Sequence, residues 1–102
     1  MSELYKLNYL SDIQYVIKHN PRVLIEFGAP WCAPCTRFEP HLVKFAERNT
    51  DILTVKVNID IDSEVQTEFD IMSVPQVILF EDNRYVRHIR GRTVMQLESE
   101  LK

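Results

Sequence analysis

With 102 residues, 45% of them hydrophobic and 26% charged, the chain suits a single folded domain, residues 1–102, and leaves no room for a second core or a disordered tail. A net charge of −3 gives neither a nucleic acid nor an anionic membrane an electrostatic reason to bind, and no apolar run approaches the roughly twenty residues that cross a bilayer. The start, Met1-Ser2-Glu3, lacks the basic patch and apolar stretch of a secretory signal, and two cysteines are too few for a disulfide framework, so a cytoplasmic protein is expected.

Residues 4–7 read as a first strand. Ser11 with Gln14 fits the S/T-x-x-Q capping pattern and predicts a helix over 12–19, closed by Asn20-Pro21. The run Val23-Leu24-Ile25-Glu26-Phe27 is apolar except for Glu26, the pattern of a strand covered on both faces. A longer helix is expected from about 32 to 48, with Phe38, Leu42, Phe45 and Ala46 at helical spacing and Pro40 inside it, removing one hydrogen bond. A strand follows over 53–59. Ser63 with Gln66 then opens a short helix that turns Val65 and Phe69 inward. Strands over 76–81 and 85–90 are joined by the hairpin-length turn Asp82-Asn83-Arg84. Thr93 with Gln96 opens a last helix with the stripe Val94, Leu97 and Leu101. The order βαβαβαββα argues for an α/β fold, a central mixed sheet with helices on both faces.

Both cysteines and the sole tryptophan fall in Trp31-Cys32-Ala33-Pro34-Cys35. Two cysteines separated by two residues at a helix start can pass between dithiol and disulfide with little backbone movement. A helix N-terminus carries about half a positive charge and favours a thiolate there. Cys32, expected in an exposed loop, is the candidate nucleophile; Cys35, one turn in, is the candidate resolving thiol and should be the more buried. The alternatives are a merely packed pair and a metal site. The second would need more ligands than His19, His41 and His88, scattered along the chain, can bring. No metal is expected.

Glu26 lies within a buried strand, so desolvation should raise its pKa. Lys56 on the next strand can offset its charge, and a plain buried ion pair is the simpler reading of the two. The segment from Arg84 to Arg92 holds four arginines, which strand alternation divides between faces; a charged edge strand that resists edge-to-edge pairing is the favoured reading. The acidic stretch from Asp60 to Asp70 has Val65 and Ile71 where a calcium loop needs glycine and glutamate, and reads as a solvated face.

In this order and spacing the motifs resemble the thioredoxin family over nearly the whole chain. They are the strand 23–27 with its buried acid, the loop Ala29-Pro30-Trp31-Cys32-Ala33-Pro34-Cys35, Pro40, the segment Lys56-Val57-Asn58-Ile59-Asp60, the pair Val74-Pro75, and Gly91. The resemblance implies a thioredoxin fold and a protein-disulfide reductase, in which Cys32 attacks, Cys35 resolves and Glu26 accepts the Cys35 proton through water. It also implies a cis Val74-Pro75 bond, although only about one X-Pro bond in twenty is cis. The Val74 backbone would then face outward to pair with an extended substrate. Trp31, Ala33, Pro34, Ile59, Arg90 and Gly91 would complete the groove.

By the same resemblance the partners are disulfide-containing proteins and a thioredoxin-reductase-like flavoprotein that recharges the Cys32–Cys35 disulfide, with no bound cofactor, the chain acting as a monomer. The chain departs from the family pattern at Ala33 (usually glycine), Glu26 (usually aspartate), Gly28 (commonly aromatic) and Arg90 (commonly apolar). Arg90 and Arg92, on either side of Gly91, would make the groove locally positive and favour acidic substrate segments. A thiol oxidase or disulfide isomerase on the same fold, or a redox-independent binding module, are the alternative functions.

Overall fold

The computed structural model describes residues 3–101. The elements follow the expected order: β1 (Tyr5–Lys6), α1 (Leu10–His19), β2 (Arg22–Gly28), α2 (Ala33–Arg48), β3 (Leu53–Asn58), α3 (Ser63–Glu68), β4 (Gln76–Glu81), β5 (Arg84–His88) and α4 (Val94–Leu101). They build one five-stranded mixed sheet in the order β1-β3-β2-β4-β5. β3 runs parallel to β1 and β2, while β4 runs antiparallel to β2 and β5. Among the described residues no helix is long and apolar enough to cross a membrane.

Strand alternation divides the core into two layers. Val23, Ile25 and Phe27 of β2 pack with Ile13 and Ile17 of α1 and Val65 of α3. Leu24 points the other way, to Phe38, Leu42 and Phe45 of α2 and Leu97 and Leu101 of α4. Glu26 shares that second face by the period of two, which aims its carboxylate at α2. Phe27 and Phe45 are fully buried, each burial contributing about 1.5–3 kcal/mol. α2 runs through Pro40, which withholds an N–H from the Thr36 carbonyl one turn earlier.

Two of the three expected caps are corrected. Helix α1 begins at Leu10, and its N-cap residue Tyr9 makes no side-chain cap. Asp62, distant in sequence, accepts the Leu10 N–H through Oδ2 at 2.9 Å. The same carboxylate caps α3, its Oδ1 accepting the Glu64 N–H at 3.1 Å, so Asp62 rather than Ser63 opens that helix. Ser11 and Ser63 sit inside the first turns. One acid thus serves two helix starts, where the dipoles favour negative charge. Asp62→Ala should therefore destabilise the fold by about 2 kcal/mol, twice the usual cost of a lost cap, in urea titrations followed by circular dichroism. A loss below a few tenths would mean water replaces both bonds. Thr93 caps α4 as expected, accepting the Gln96 N–H at 3.2 Å, though Gln96 returns its bond to the Arg92 N–H.

The β4–β5 turn is two residues long. Asp82 and Asn83 have φ of 52° and 64°, a left-handed pair that these residue types tolerate and that matches the twist of a hairpin. β5 ends at His88 instead of 90. The Ile89 N–H still reaches the Val77 carbonyl at 2.7 Å, but the Arg90 and Gly91 N–H groups both turn to the Glu100 carboxylate. Gly91 is required there by contact: a Cβ would stand 2.8 Å from Gln96 Cβ and 2.9 Å from its carbonyl carbon.

Candidate active site

Cys32 is the N-cap of α2, so the cysteine pair straddles the helix start. Pro34 falls in the first turn, where its missing N–H would have no helical acceptor. The Cys35 N–H donates to Cys32 Sγ at 3.2 Å, and the two residues form a disulfide with Cα atoms 5.3 Å apart. Cys35 is 1% exposed and Cys32 5%, so the order of burial is the expected one. The expected exposed loop at Cys32 is corrected: the sulfur packs in the cluster that holds Ala29 and Ile59, while the surface around it belongs to Trp31, Ala33 and Pro34. Trp31 is 69% exposed and held by its indole N–H, which donates to Asp60 Oδ2 at 2.9 Å.

Glu26 is 1% exposed, and its pKa is raised first of all by burial. Lys56, its register partner on β3, opposes that rise with a bond of 3.2 Å to Oε1. Lys56 is shared, because Glu39 of α2 lies 3.5 Å from the same Nζ and pushes the Glu26 pKa up again. Glu26 Oε2 has no hydrogen-bond partner among the described residues. It borders Gly28, where a Cβ would stand 2.5 Å from Oε2 and 3.1 Å from Cys35 Sγ. The oxygen and the sulfur therefore both border the point a Cβ would occupy, a space too small for a methyl group, and any side chain at 28 would force them to move. Over Gly28 opens a cleft of about 230 Å³ lined among others by Glu39, Lys56 and Asn58. The Lys56 ammonium that binds Glu26 thus borders this cleft.

Val74–Pro75 is cis. Val74 packs against the cluster that contains both cysteines, and Ile59 is a buried member of it. Pro75 and Pro34 line a cleft of about 420 Å³ together with Arg37, Phe38, His41 and Arg92. Arg90 and Gly91 line a separate cleft with Gln96, Ser99 and Glu100, so of the two arginines flanking Gly91 it is Arg92 that reaches the space beside the cysteine loop. Glu39 and Arg37 escaped the sequence reading, and Asp60 and His41 were read there as a solvated acid and a scattered histidine, not as site residues. Helical spacing carried the signal for three of them: Pro34, Arg37, Phe38 and His41 fall at i, i+3, i+4 and i+7, and Glu39 one turn beyond Cys35. Among the described residues no three His, Cys, Asp or Glu side chains gather as a metal site.

A cysteine pair of this kind, set at a helix start over the end of a mixed parallel sheet, defines a thiol–disulfide oxidoreductase. The Thioredoxin family model matches residues 4–102. A thioredoxin of Alicyclobacillus acidocaldarius is 40% identical over 93 residues, covering 89% of each chain. A bifunctional thioredoxin reductase/thioredoxin of Mycobacterium leprae is 38% identical over 77 residues, 74% of this chain and 17% of that one. The crystal structure of oxidised mitochondrial thioredoxin 3 from Saccharomyces cerevisiae superposes with a TM-score of 0.84 at 30% identity, covering 95% of this chain and 92% of that one. The chain belongs to the thioredoxin family, and its C-x-x-C pair makes it a protein-disulfide reductase.

Proposed function

We propose that Cys32 is the attacking thiolate, Cys35 the resolving thiol and Glu26 the acceptor of the Cys35 proton. The Cys32 thiolate bonds to one sulfur of a substrate disulfide and expels the other as a thiolate. Cys35 then loses its proton to Glu26 through a bridging water and attacks Cys32 Sγ. The Cys32–Cys35 bond forms, the first substrate sulfur leaves, and two electrons have passed to the substrate. The observation that carries this assignment is the placement of Glu26 Oε2, unpartnered, across one small space from Cys35 Sγ. Lys56, and through it Glu39, positions that carboxylate.

Substrate docks as an added strand on Val74-Pro75, over Trp31, Ala33, Pro34 and the buried Ile59. A separate reductase returns electrons to the pair; the Mycobacterium leprae relative, named for both activities, supports that partner. The exposed outer strand β5, with Arg84 and Arg87, discourages pairing between copies and supports a monomer. A cytoplasmic setting that keeps thiols reduced suits a chain whose two cysteines are both in the redox pair.

The test is the reduction potential of Cys32–Cys35, measured by equilibration against a thiol–disulfide buffer. A value below the glutathione poise, about −220 to −260 mV, is expected of an electron donor. A value well above it would make the pair an oxidant and overturn the reductase direction.

A further inference from the structure

The cleft between Pro34 and Pro75 has a composition that dithiol exchange does not require. We propose that Arg37 and Arg92, with His41, make it a carboxylate-binding subsite that selects disulfides flanked by acidic residues. This rests on the docking of substrate at Val74-Pro75. Arg92 is held in place before any ligand arrives. Its Nη1 donates to the Ile89 and Gly91 carbonyls, both at 2.9 Å, and its guanidinium lies 5.4 Å from the centre of the Phe38 ring. Nε and Nη2, the rest of the fork, have no hydrogen-bond partner among the described residues. Neither Arg37 nor Arg92 has a carboxylate within 4.0 Å among the described residues, and none lines the cleft. Glu26 and Glu100 act on Arg92 only from beyond ion-pair distance.

A half-buried guanidinium fixed by carbonyls and a ring, with its fork left open, is built to receive an anion. The occupant is identified by where the cleft lies. During reaction the substrate is bonded to Cys32, so a group that fills the space between Pro34, next but one to Cys32 in the chain, and Pro75 arrives on the same substrate chain as the reacting cysteine. Tethering raises its effective concentration and lets weak ion pairs count. A nucleic acid is disfavoured, because the chain as a whole carries a net charge of −3.

Two disulfide peptides that differ only in a pair of Glu or Gln residues beside one cysteine provide the test. The reduced protein should favour the Glu peptide in kcat/KM by on the order of tenfold at low salt, about threefold for each arginine contact, and the preference should shrink at high ionic strength. Arg37→Gln, at an exposed position where folding is not at stake, should lower the ratio, and Arg92→Gln should lower it further. A wild-type ratio near one, or a ratio kept by both variants, overturns the subsite. Binding of the same peptides with cysteine replaced by serine, read by fluorescence anisotropy, separates it from the docking and reductase readings. Tighter binding of the Glu peptide without reduction of either disulfide would fail the reductase reading and support the subsite. Binding that ignores charge, together with equal rates of reduction for the two peptides, would overturn the subsite.

Discussion

Cys35→Ser should convert turnover into a single trapped event. With Cys32 intact, attack on a substrate disulfide proceeds and stops at the Cys32–substrate bond, because no second thiol stands within reach to break it. Intact-mass spectrometry should show one substrate bound per chain, released by added dithiothreitol. Cys32→Ser should form no such adduct and leave insulin-type disulfide reduction at the uncatalysed background. Opposite behaviour in the two variants is what the unequal placement of the cysteines demands: Cys32 caps α2 and keeps some surface, and Cys35 lies one turn in with 1% exposure. An adduct on Cys35 in the Cys32→Ser chain, in place of Cys32, would reverse the assignment.

Glu26→Gln should slow resolution of the mixed disulfide by about a hundredfold near neutral pH, the lower end of what a positioned base contributes. The effect should fade at high pH, where hydroxide and solvent deprotonate Cys35 without help. An unchanged rate across pH would leave Glu26 as a structural ion-pair member only. The same variant has a stability signature with a definite sign. Glu26 is an acid whose pKa is raised in the fold, by burial above all, so the native state holds a proton that the unfolded chain releases. Its favourable contribution is complete below the ordinary carboxylate pKa and is lost as pH rises through the raised value. Glu26→Gln escapes that loss and should gain about 1–3 kcal/mol on the wild type between acid and mildly alkaline pH in urea titrations. Lys56 keeps Glu39 as a partner in the variant, which limits the compensating penalty.

The two signatures separate the catalytic and structural roles of one buried carboxylate. A variant that becomes more stable as it becomes slower at resolution marks an acid retained for chemistry at the expense of stability. Glu39 refines the picture. It draws on the same ammonium as Glu26, so the buried acid is only partly neutralised and stays the better proton acceptor.

Much of this was legible in one dimension. The order of elements followed from local signals: the apolar run at 23–27, helical spacing from Phe38 to Ala46, and turn residues at 82–83 that tolerate left-handed backbone. The redox pair was legible because its chemistry depends on a spacing of two residues and a helix start, both local properties. Burial of Glu26 could be anticipated because its neighbours from Val23 to Gly28 are all apolar.

What only the tertiary structure decided involves groups far apart in the chain. Asp62 was preferred over two serines with the right local pattern because its carboxylate reaches Leu10 across the fold, a contact that no local window contains. Glu39 joined Glu26 because β2, β3 and α2 converge on one ammonium. Arg92 displaced Arg90 beside the cysteine loop because Glu100 captures the Arg90 and Gly91 amides, ends β5 early and alters the alternation counted from the strand. Helix, strand and motif arise from interactions between near neighbours, which sequence records directly. The partner of a charge or an unpaired amide is set by the distance between elements after they pack, and sequence holds that only through the fold.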